Sequence, residues 1–162
     1  MSSSGDERAV LLAALETTLR ESSGLAVLFS QAVADSVGLN PTDLETLDVL
    51  VRHGAMTAGR LAEMTGLTTG AVTGLIDRLE RRGYARRERH PADRRSVIVQ
   101  PDFAAIDRDL EPAYAGMKTA TADLFCRYSD HDLRIVLDFM RHATAMTTEE
   151  ITRLRTNPAR RA

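Results

Sequence analysis

The feature that most constrains this chain of 162 residues is a pair of short helical patterns separated by a glycine, in the run RLAEMTGLTTGAVTGLIDRLERRG. Two helices that cross steeply need a small residue at the crossing, a turn residue tolerant of positive φ, and a branched apolar residue pointing into the joint. Ala62, Gly66 and Val72 occupy these three positions. The pattern therefore predicts a helix-turn-helix whose two helices are capped by Thr57 and Thr68.

The second helix of this unit has one apolar face and one face of small and polar residues. Its apolar positions recur at intervals of three and four, as in a stripe that packs into a core: Val72, Leu75, Ile76 and Leu79. The opposite face includes Gly70 and Thr73, with Thr69 beside them. Small side chains let a backbone approach DNA closely, and threonine can bond to a base edge or touch a thymine methyl. We interpret this element as a recognition helix; the alternative is a weak helix with an incidental polar face.

The helical period of the sequence pattern ends at Gly83, and the pattern that follows predicts a β-hairpin. Two short extendable runs, Tyr84–Arg89 and Ser96–Val99, flank a turn at residues 90–93. The segment 77–95 holds eight arginines against four acids, although the whole chain has a net charge of -2. Such a concentration is either a solvated charged surface or a phosphate-binding footprint. Beside a recognition helix, the hairpin would be a wing whose arginines can enter the minor groove.

The run from Asn40 to Val99 resembles the DNA-binding core of the multiple antibiotic resistance regulator (MarR) family, including Asp93-Arg94-Arg95 at the wing tip. The resemblance implies base and backbone contacts from the start of the recognition helix and a phosphate contact from Arg78. It also implies minor-groove insertion by Arg94, with Asp93 and Arg95 bracing the wing. The predicted DNA-binding residues are Thr68, Thr69, Gly70, Thr73, Arg78, Arg87, Arg89, Arg94 and Arg95.

One position departs from the family pattern. The residue after Thr73 often carries a longer polar or basic side chain in this family, and here it is Gly74. This change removes a potential base-reading group.

Long helical patterns flank the predicted DNA-binding lobe, whose first helix is expected to begin at Asn40-Pro41, an N-cap followed by proline at the first helical position. The first flanking pattern begins at an S-x-x-E capping box and reaches Val37, with a possible loosening at Ser22-Ser23-Gly24. After Pro101 the helical pattern returns, Pro112 is expected to kink or restart it, and a final helix runs from the Ser129-Asp130 capping signal to about Leu154. The predicted fold is mainly α with a small β-hairpin wing, a winged helix-turn-helix between long N- and C-terminal dimerisation helices. Its parts are 1–38, 39–100 and 101–162, forming one intertwined domain, and the tail after residue 155 is expected to fray.

The resemblance further implies a homodimer on double-stranded DNA. The predicted outer helices of the chain are rich in alanine, valine and leucine, and they are too long to be fully covered by a core of this size. The alternative to a dimer interface is burial of these helices within one subunit. Two copies would place their recognition helices about 34–36 Å apart on a pseudo-palindromic operator. Relatives are commonly repressors that release DNA when a small aromatic or anionic effector binds. The competing function is a protein-interaction module whose basic face docks an acidic partner.

Enzymatic and metal-binding patterns are missing from the sequence. The four histidines are scattered, and no nucleophile, phosphate-loop or metal-ligand motif is present, so we predict no cofactor, no metal and no enzyme activity. The single cysteine, Cys126, is expected to be a small buried apolar residue, with redox sensing as the less favoured role. No apolar run approaches the roughly 18 residues of a membrane span. Without a signal-peptide pattern, a cytoplasmic protein that makes no membrane contact is expected.

Overall fold

The computed structural model describes residues 3–89 and 96–156, and within them the chain is mainly helical with a small antiparallel sheet. The helices are α1 (Ser3–Ser36), α2 (Pro41–His53), α3 (Ala58–Thr65), α4 (Thr69–Arg81), α5 (Phe103–Phe125) and α6 (Asp130–Thr156), and the strands are β1 (Met56–Thr57), β2 (Ala85–Arg89) and β3 (Val97–Pro101). The predicted fold class is confirmed. By its internal contacts the chain divides after Tyr114 into two compact units. The three-part division expected from the sequence is not tested by this and stays a prediction.

The sheet has the order β1-β3-β2, and both pairings are antiparallel. The β2–β3 pair forms the stem of the predicted hairpin, with Arg87 opposite Val99 and Arg89 opposite Val97. The turn predicted at residues 90–93 lies outside the described residues. Strand β1 was not predicted, because two residues are too few to show a period of two.

The hydrophobic core of the first unit lies beneath the helix-turn-helix. Its largest fully buried apolar side chains come from α2, α3, α4 and β3, and they are Leu47, Leu50, Leu61, Val72, Leu75, Ile76, Leu79 and Val99. Burying one such side chain stabilises the fold by about 1.5–3 kcal/mol. The apolar stripe of α4 is therefore anchored inward, and the opposite face of the helix must point outward.

Capping side chains begin the helices where the sequence predicts them. The Asn40 side chain accepts a hydrogen bond from the Asp43 backbone N–H at 2.8 Å, and the Thr57 hydroxyl accepts one from the Arg60 N–H at 3.2 Å. Gly66 ends α3 in the left-handed region, at φ 72° and ψ 16°. These local signals were predictable because each depends on residues within one turn of the chain.

Both places where the helices were expected to be interrupted lie inside continuous helices. Helix α1 runs unbroken through Ser22-Ser23-Gly24, where the Ser23 hydroxyl donates to the Leu19 carbonyl at 2.8 Å. A single glycine costs a helix only about 1 kcal/mol relative to alanine, which does not break a helix of this length. Helix α5 also continues across Pro112, so the restart expected there is wrong, whereas the kink expected as the alternative stays a prediction.

The second unit contains the end of α5 and the whole of α6. Ser129 caps α6 as expected, since its hydroxyl accepts from the Asp132 N–H at 3.2 Å. Burial of Cys126 was predicted wrongly, because the thiol is exposed in the chain. The buried residues of α5 end at Leu110, so no core reaches that position. The expected fraying falls on residues 157–162, outside the described part, whereas Thr156 is helical.

No helix in residues 3–89 and 96–156 is long and apolar enough to cross a lipid bilayer.

Candidate nucleic-acid interface

The outward face of α4 begins with exposed threonines and a glycine. Thr69, Gly70 and Thr73 are exposed, whereas Val72 and Ile76 on the other side are 1% exposed. The Thr73 hydroxyl donates to the Thr69 carbonyl at 3.0 Å, which leaves its oxygen lone pairs free to accept from a base edge. The structure therefore brings three of the predicted contact residues onto one open surface.

Thr68 lies at the N-terminal end of this surface. Its hydroxyl accepts from the Ala71 N–H at 3.3 Å and so caps α4, as the sequence predicts. The side chain is exposed, and the first amides of the helix lie beside it. A helix N-terminus of this kind favours an anion such as a DNA phosphate.

Packing does not explain the two glycines of α4. A methyl group added at Gly70 would meet no atom within 4 Å. At Gly74 the nearest atom would be Arg78 Nη1 at 3.7 Å, an ordinary contact distance. Both positions leave space that a closely approaching DNA backbone or base could use.

Arg78 forms a two-pronged ion pair with a buried carboxylate of α2. Its Nε and Nη2 atoms each donate to Asp43 at 2.7 Å, and the Asp43 side chain is only 2% exposed. Asn40 donates to the same carboxylate at 2.9 Å. The hydrogen bond with Asp43 raises the pKa of Arg78 above its ordinary value. The pair holds α4 against α2, and the phosphate contact expected of Arg78 stays a prediction.

Arg82, just beyond α4, reaches back to the end of α1. It donates to the Val37 carbonyl at 3.1 Å and to the Gly38 carbonyl at 2.5 Å. Gly38 has φ +67°, and a methyl group there would come within 2.8 Å of the guanidinium nitrogens. This link was missed from the sequence, because the partners are backbone atoms more than forty positions away.

Arg87 lies on β2 and turns toward α4. Its Nη2 atom is 2.6 Å from Asp77 Oδ1 and donates to the Thr73 carbonyl at 3.2 Å, and its Nη1 atom donates to Glu80. Burial lowers the pKa of this guanidinium, but the hydrogen bonds and charges of the two acids outweigh it, so the net pKa is raised. The DNA contact expected of Arg87 stays a prediction.

The rest of the predicted wing is only partly described. Arg89 is exposed at the end of β2. Asp93, Arg94 and Arg95 lie outside the described residues, so minor-groove insertion and bracing at the wing tip stay predictions.

Similarity to known proteins identifies the family. A profile of the MarR family matches residues 37–96. Over 129 residues the chain is 42% identical to the uncharacterized HTH-type transcriptional regulator YcgE of Bacillus subtilis, covering 80% of this chain and 83% of that protein. The chain belongs to the MarR family. The members of this family are DNA-binding transcriptional regulators, which confirms the prediction that the chain is not an enzyme.

Solved structures share the MarR-type fold of this chain. A MarR family protein from Bacillus stearothermophilus has a TM-score of 0.68 at 23% identity, covering 88% of this chain and 97% of that one. Overoxidized AbfR bound to DNA has a TM-score of 0.51 at 17% identity, covering 91% and 99% of the two chains.

This MarR family chain also contains an apolar groove between α2 and α5. It has a volume of ≈ 210 Å³ and is lined by Leu44, Leu47, Asp48, Val51, Ile106, Asp107, Leu110, Glu111 and Tyr114. Burial, with a smaller contribution from the charge of Asp48, raises the pKa of the Tyr114 hydroxyl. Sequence reasoning marked none of these residues, because the groove forms only when two helices distant in sequence pack together.

Among residues 3–89 and 96–156 no cluster of three or more His, Cys, Asp or Glu side chains could hold a metal ion.

Proposed function

We propose that this MarR family protein is a sequence-specific regulator that binds double-stranded DNA as a homodimer on a pseudo-palindromic operator and represses transcription from it. The observation that carries the proposal is the open face of α4, where Thr69, Gly70 and Thr73 stand clear of the core. Threonines can read base edges, and the glycine lets the backbone come close to them. Bound across an operator, the dimer would occupy DNA that polymerase needs. Such a role requires the compartment that holds the DNA, so the expected cytoplasmic location is part of the proposal.

The proposed contacts follow from the position of each side chain. Thr69, Gly70 and Thr73 would meet bases, and Thr68 with the first amides of α4 would meet a phosphate. Arg89 is exposed on the wing stem and would contact the backbone, while Arg94 would enter the minor groove beside Asp93 and Arg95. Arg78 can reach a phosphate with the part of its side chain that is not engaged by Asp43, since 41% of that side chain is exposed.

A second copy of the chain is proposed to cover the apolar surface of α6. No described residue of this 27-residue helix is buried. Between residues 135 and 154 the helix exposes eight large apolar side chains, which are Ile135, Val136, Leu137, Phe139, Met140, Met146, Ile151 and Leu154. Monomers rarely leave apolar patches of this extent in contact with water. Helix α1 has the same property in its first half, where Val10, Leu11 and Leu15 are exposed.

The groove between α2 and α5 is the proposed effector site. Its apolar floor suits a small aromatic molecule, and its volume of ≈ 210 Å³ limits the ligand to about one ring. Three carboxylates, from Asp48, Asp107 and Glu111, stand at its lining and would repel an anion. We therefore expect a neutral or cationic aromatic effector here rather than the anionic one that family resemblance also allows. Benzylamine and benzyl alcohol should lower DNA affinity more than benzoate does, as measured by fluorescence anisotropy; a stronger effect of benzoate would contradict this assignment.

The proposed function is tested by selecting bound duplexes from a random pool and titrating the enriched sequence against a scrambled one. Specific readout predicts affinity for the selected duplex at least about a thousandfold above that for the scrambled one, with a steep loss as salt rises. Equal, weak binding of every duplex would overturn the proposal and leave docking of an acidic partner as the better explanation of the basic surface.

A further inference from the structure

Arg87 differs from the other arginines of the wing stem in the direction of its side chain. Side chains alternate along a strand, and on β2 Arg86 points to solvent with 61% of its side chain exposed, whereas 30% of the Arg87 side chain is exposed. Ala85, on the same face as Arg87, is buried. The Arg87 guanidinium is therefore directed at α4.

Its three partners form one stripe on α4. Thr73, Asp77 and Glu80 follow one another at intervals of four and three residues, so they lie one above the other on the helix surface. Arg87 donates to the carbonyl of the first and to the carboxylates of the other two. Glu80 also accepts from the Arg87 backbone N–H at 2.7 Å, which fixes the strand itself and not only the side chain.

The charge of this cluster does not favour a phosphate. One guanidinium faces two carboxylates, so the group carries a net negative charge. A DNA phosphate could engage Arg87 only by displacing Asp77 or Glu80, which would leave that carboxylate beside the DNA backbone without its partner. The exposed Arg89, two residues further along β2, carries no such cost within the described residues.

The contacts of Arg87 extend to Thr73, which lies on the open face of α4 where base contacts are proposed. Thr73 accepts from Arg87 through its carbonyl and bonds to Thr69 through its hydroxyl. A shift of the wing stem would therefore reach the backbone of α4 at the position where base contacts are proposed. A rigid connection here fixes how far apart the major-groove and minor-groove elements lie.

We propose that Arg87 is a positioning residue that joins the wing stem to α4 so that both enter the DNA as one rigid unit, and that it makes no phosphate contact of its own. The inference rests on the proposed function, because it assigns a role within sequence-specific DNA binding. Arg87 acts through Thr73 and β2, so it governs specificity, whereas an arginine that touches phosphate governs affinity on every sequence alike.

The test uses a variant that removes the link without changing the net charge, Arg87→Gln combined with Glu80→Gln, beside the matched control Arg89→Gln. Affinities of the full-length protein for the selected and scrambled duplexes are measured at several salt concentrations. We expect the double variant to lose about tenfold or more of the preference for the selected duplex, with an unchanged salt dependence on the scrambled one. Arg89→Gln should lower the affinity for both duplexes by the same factor. It should also reduce the slope of log K against log[salt] by about 0.9 per subunit.

The inference is overturned if the double variant keeps the wild-type preference, or if its salt slope falls as predicted for Arg89→Gln. If the double variant does not unfold cooperatively on heating, and so is not folded, Arg87→Lys is tested in its place. Lysine keeps the positive charge but cannot bond to all three acceptors on α4 at once. Loss of preference at an unchanged slope supports the positioning role, and wild-type behaviour contradicts it. A wild-type protein with no preferred duplex would instead refute the proposed function itself.

Discussion

The Asp43 carboxylate is almost completely buried, and its charge is balanced by a side chain from another helix. Arg78 supplies two hydrogen bonds to it at 2.7 Å, and Asn40 supplies a third at 2.9 Å. A buried carboxylate that loses its cationic partner must stay charged without compensation or take up a proton, and both are costly. This ion pair therefore adds to the core packing that holds α4 against α2.

Replacing Arg78 with alanine should lower the stability of the protein. We expect the free energy of unfolding to fall by about 2 kcal/mol, a typical value for hydrogen bonds to a charged group. The matched control is Arg52→Ala, which removes an exposed pair with Asp48 at 2.8 Å and should cost less than about 1 kcal/mol. Urea unfolding measures both, and equal losses would contradict the structural role of Arg78.

The sequence predicted those residues of the site whose roles are local. Thr68 as a cap and Gly66 as a left-handed turn residue depend on neighbours within one helical turn, and Thr69 and Thr73 follow from the period of α4. The pairing of Arg78 with Asp43 could not be predicted, because the two are separated by 35 positions and meet only after α2 and α4 pack. The same reason hid the three partners of Arg87.

At the scale of elements, Arg82 joins the end of α4 to the turn that follows α1, beside the core residues Ala34 and Leu79 of the two helices. Just beyond the last residue of α1, the carbonyls of Val37 and Gly38 each accept a hydrogen bond from Arg82. The turn that follows depends on Gly38, because its positive φ is unfavourable for other residues and the guanidinium occupies the space of a side chain. The ends of both helices are thereby fixed to each other.

Gly38→Ala should break this connection. The alanine is strained at φ +67° and displaces the Arg82 guanidinium, so we expect a loss of about 2 kcal/mol in the free energy of unfolding. The control Gly59→Ala adds a methyl group to a helical position with no atom within 4 Å, and it should be neutral or stabilising. Two variants of equal stability in urea would show that the turn does not need glycine.

Element prediction succeeded where a pattern is long or a cap is explicit, and it failed at short or marginal signals. The start of α2 at Asn40-Pro41 and the two wing strands were predicted within a residue or two. Strand β1 is stabilised by pairing with β3 and not by its own two residues. The loosening expected at Gly24 and the restart expected at Pro112 do not occur, because α1 and α5 are continuous at these residues.

At the scale of the whole molecule, charge and apolar surface are separated along the chain. The chain has a net charge of -2, yet residues 77–95, from α4 into the predicted wing, hold eight arginines against four acidic residues. An acidic remainder would repel DNA and so favour approach through the basic region. The long helices at either end carry the exposed apolar side chains instead. The proposed DNA binding and the proposed self-association therefore involve different parts of the sequence.

The proposed homodimer predicts a particle of twice the 17.8 kDa chain mass in sedimentation equilibrium. Leu137→Glu combined with Met140→Glu places two charges on the exposed apolar surface of α6 and should shift the equilibrium to monomers. His131→Glu combined with His142→Glu adds the same two charges at exposed polar positions on the opposite side of that helix and should leave the dimer intact. A monomeric wild type, or equal effects of the two double variants, would contradict the proposed role of α6.

The central claim is that the outward face of α4 reads bases, and it is tested most directly by selecting duplexes in parallel with the wild type and with Thr69→Ala/Thr73→Ala. We expect the wild type to enrich two inverted half-sites whose centres are about one helical turn apart, roughly 10–10.5 base pairs. The variant should lose base preference at the inner positions of each half-site while its salt dependence on non-specific DNA stays unchanged. An identical enriched sequence from both proteins would mean that these threonines do not read the DNA.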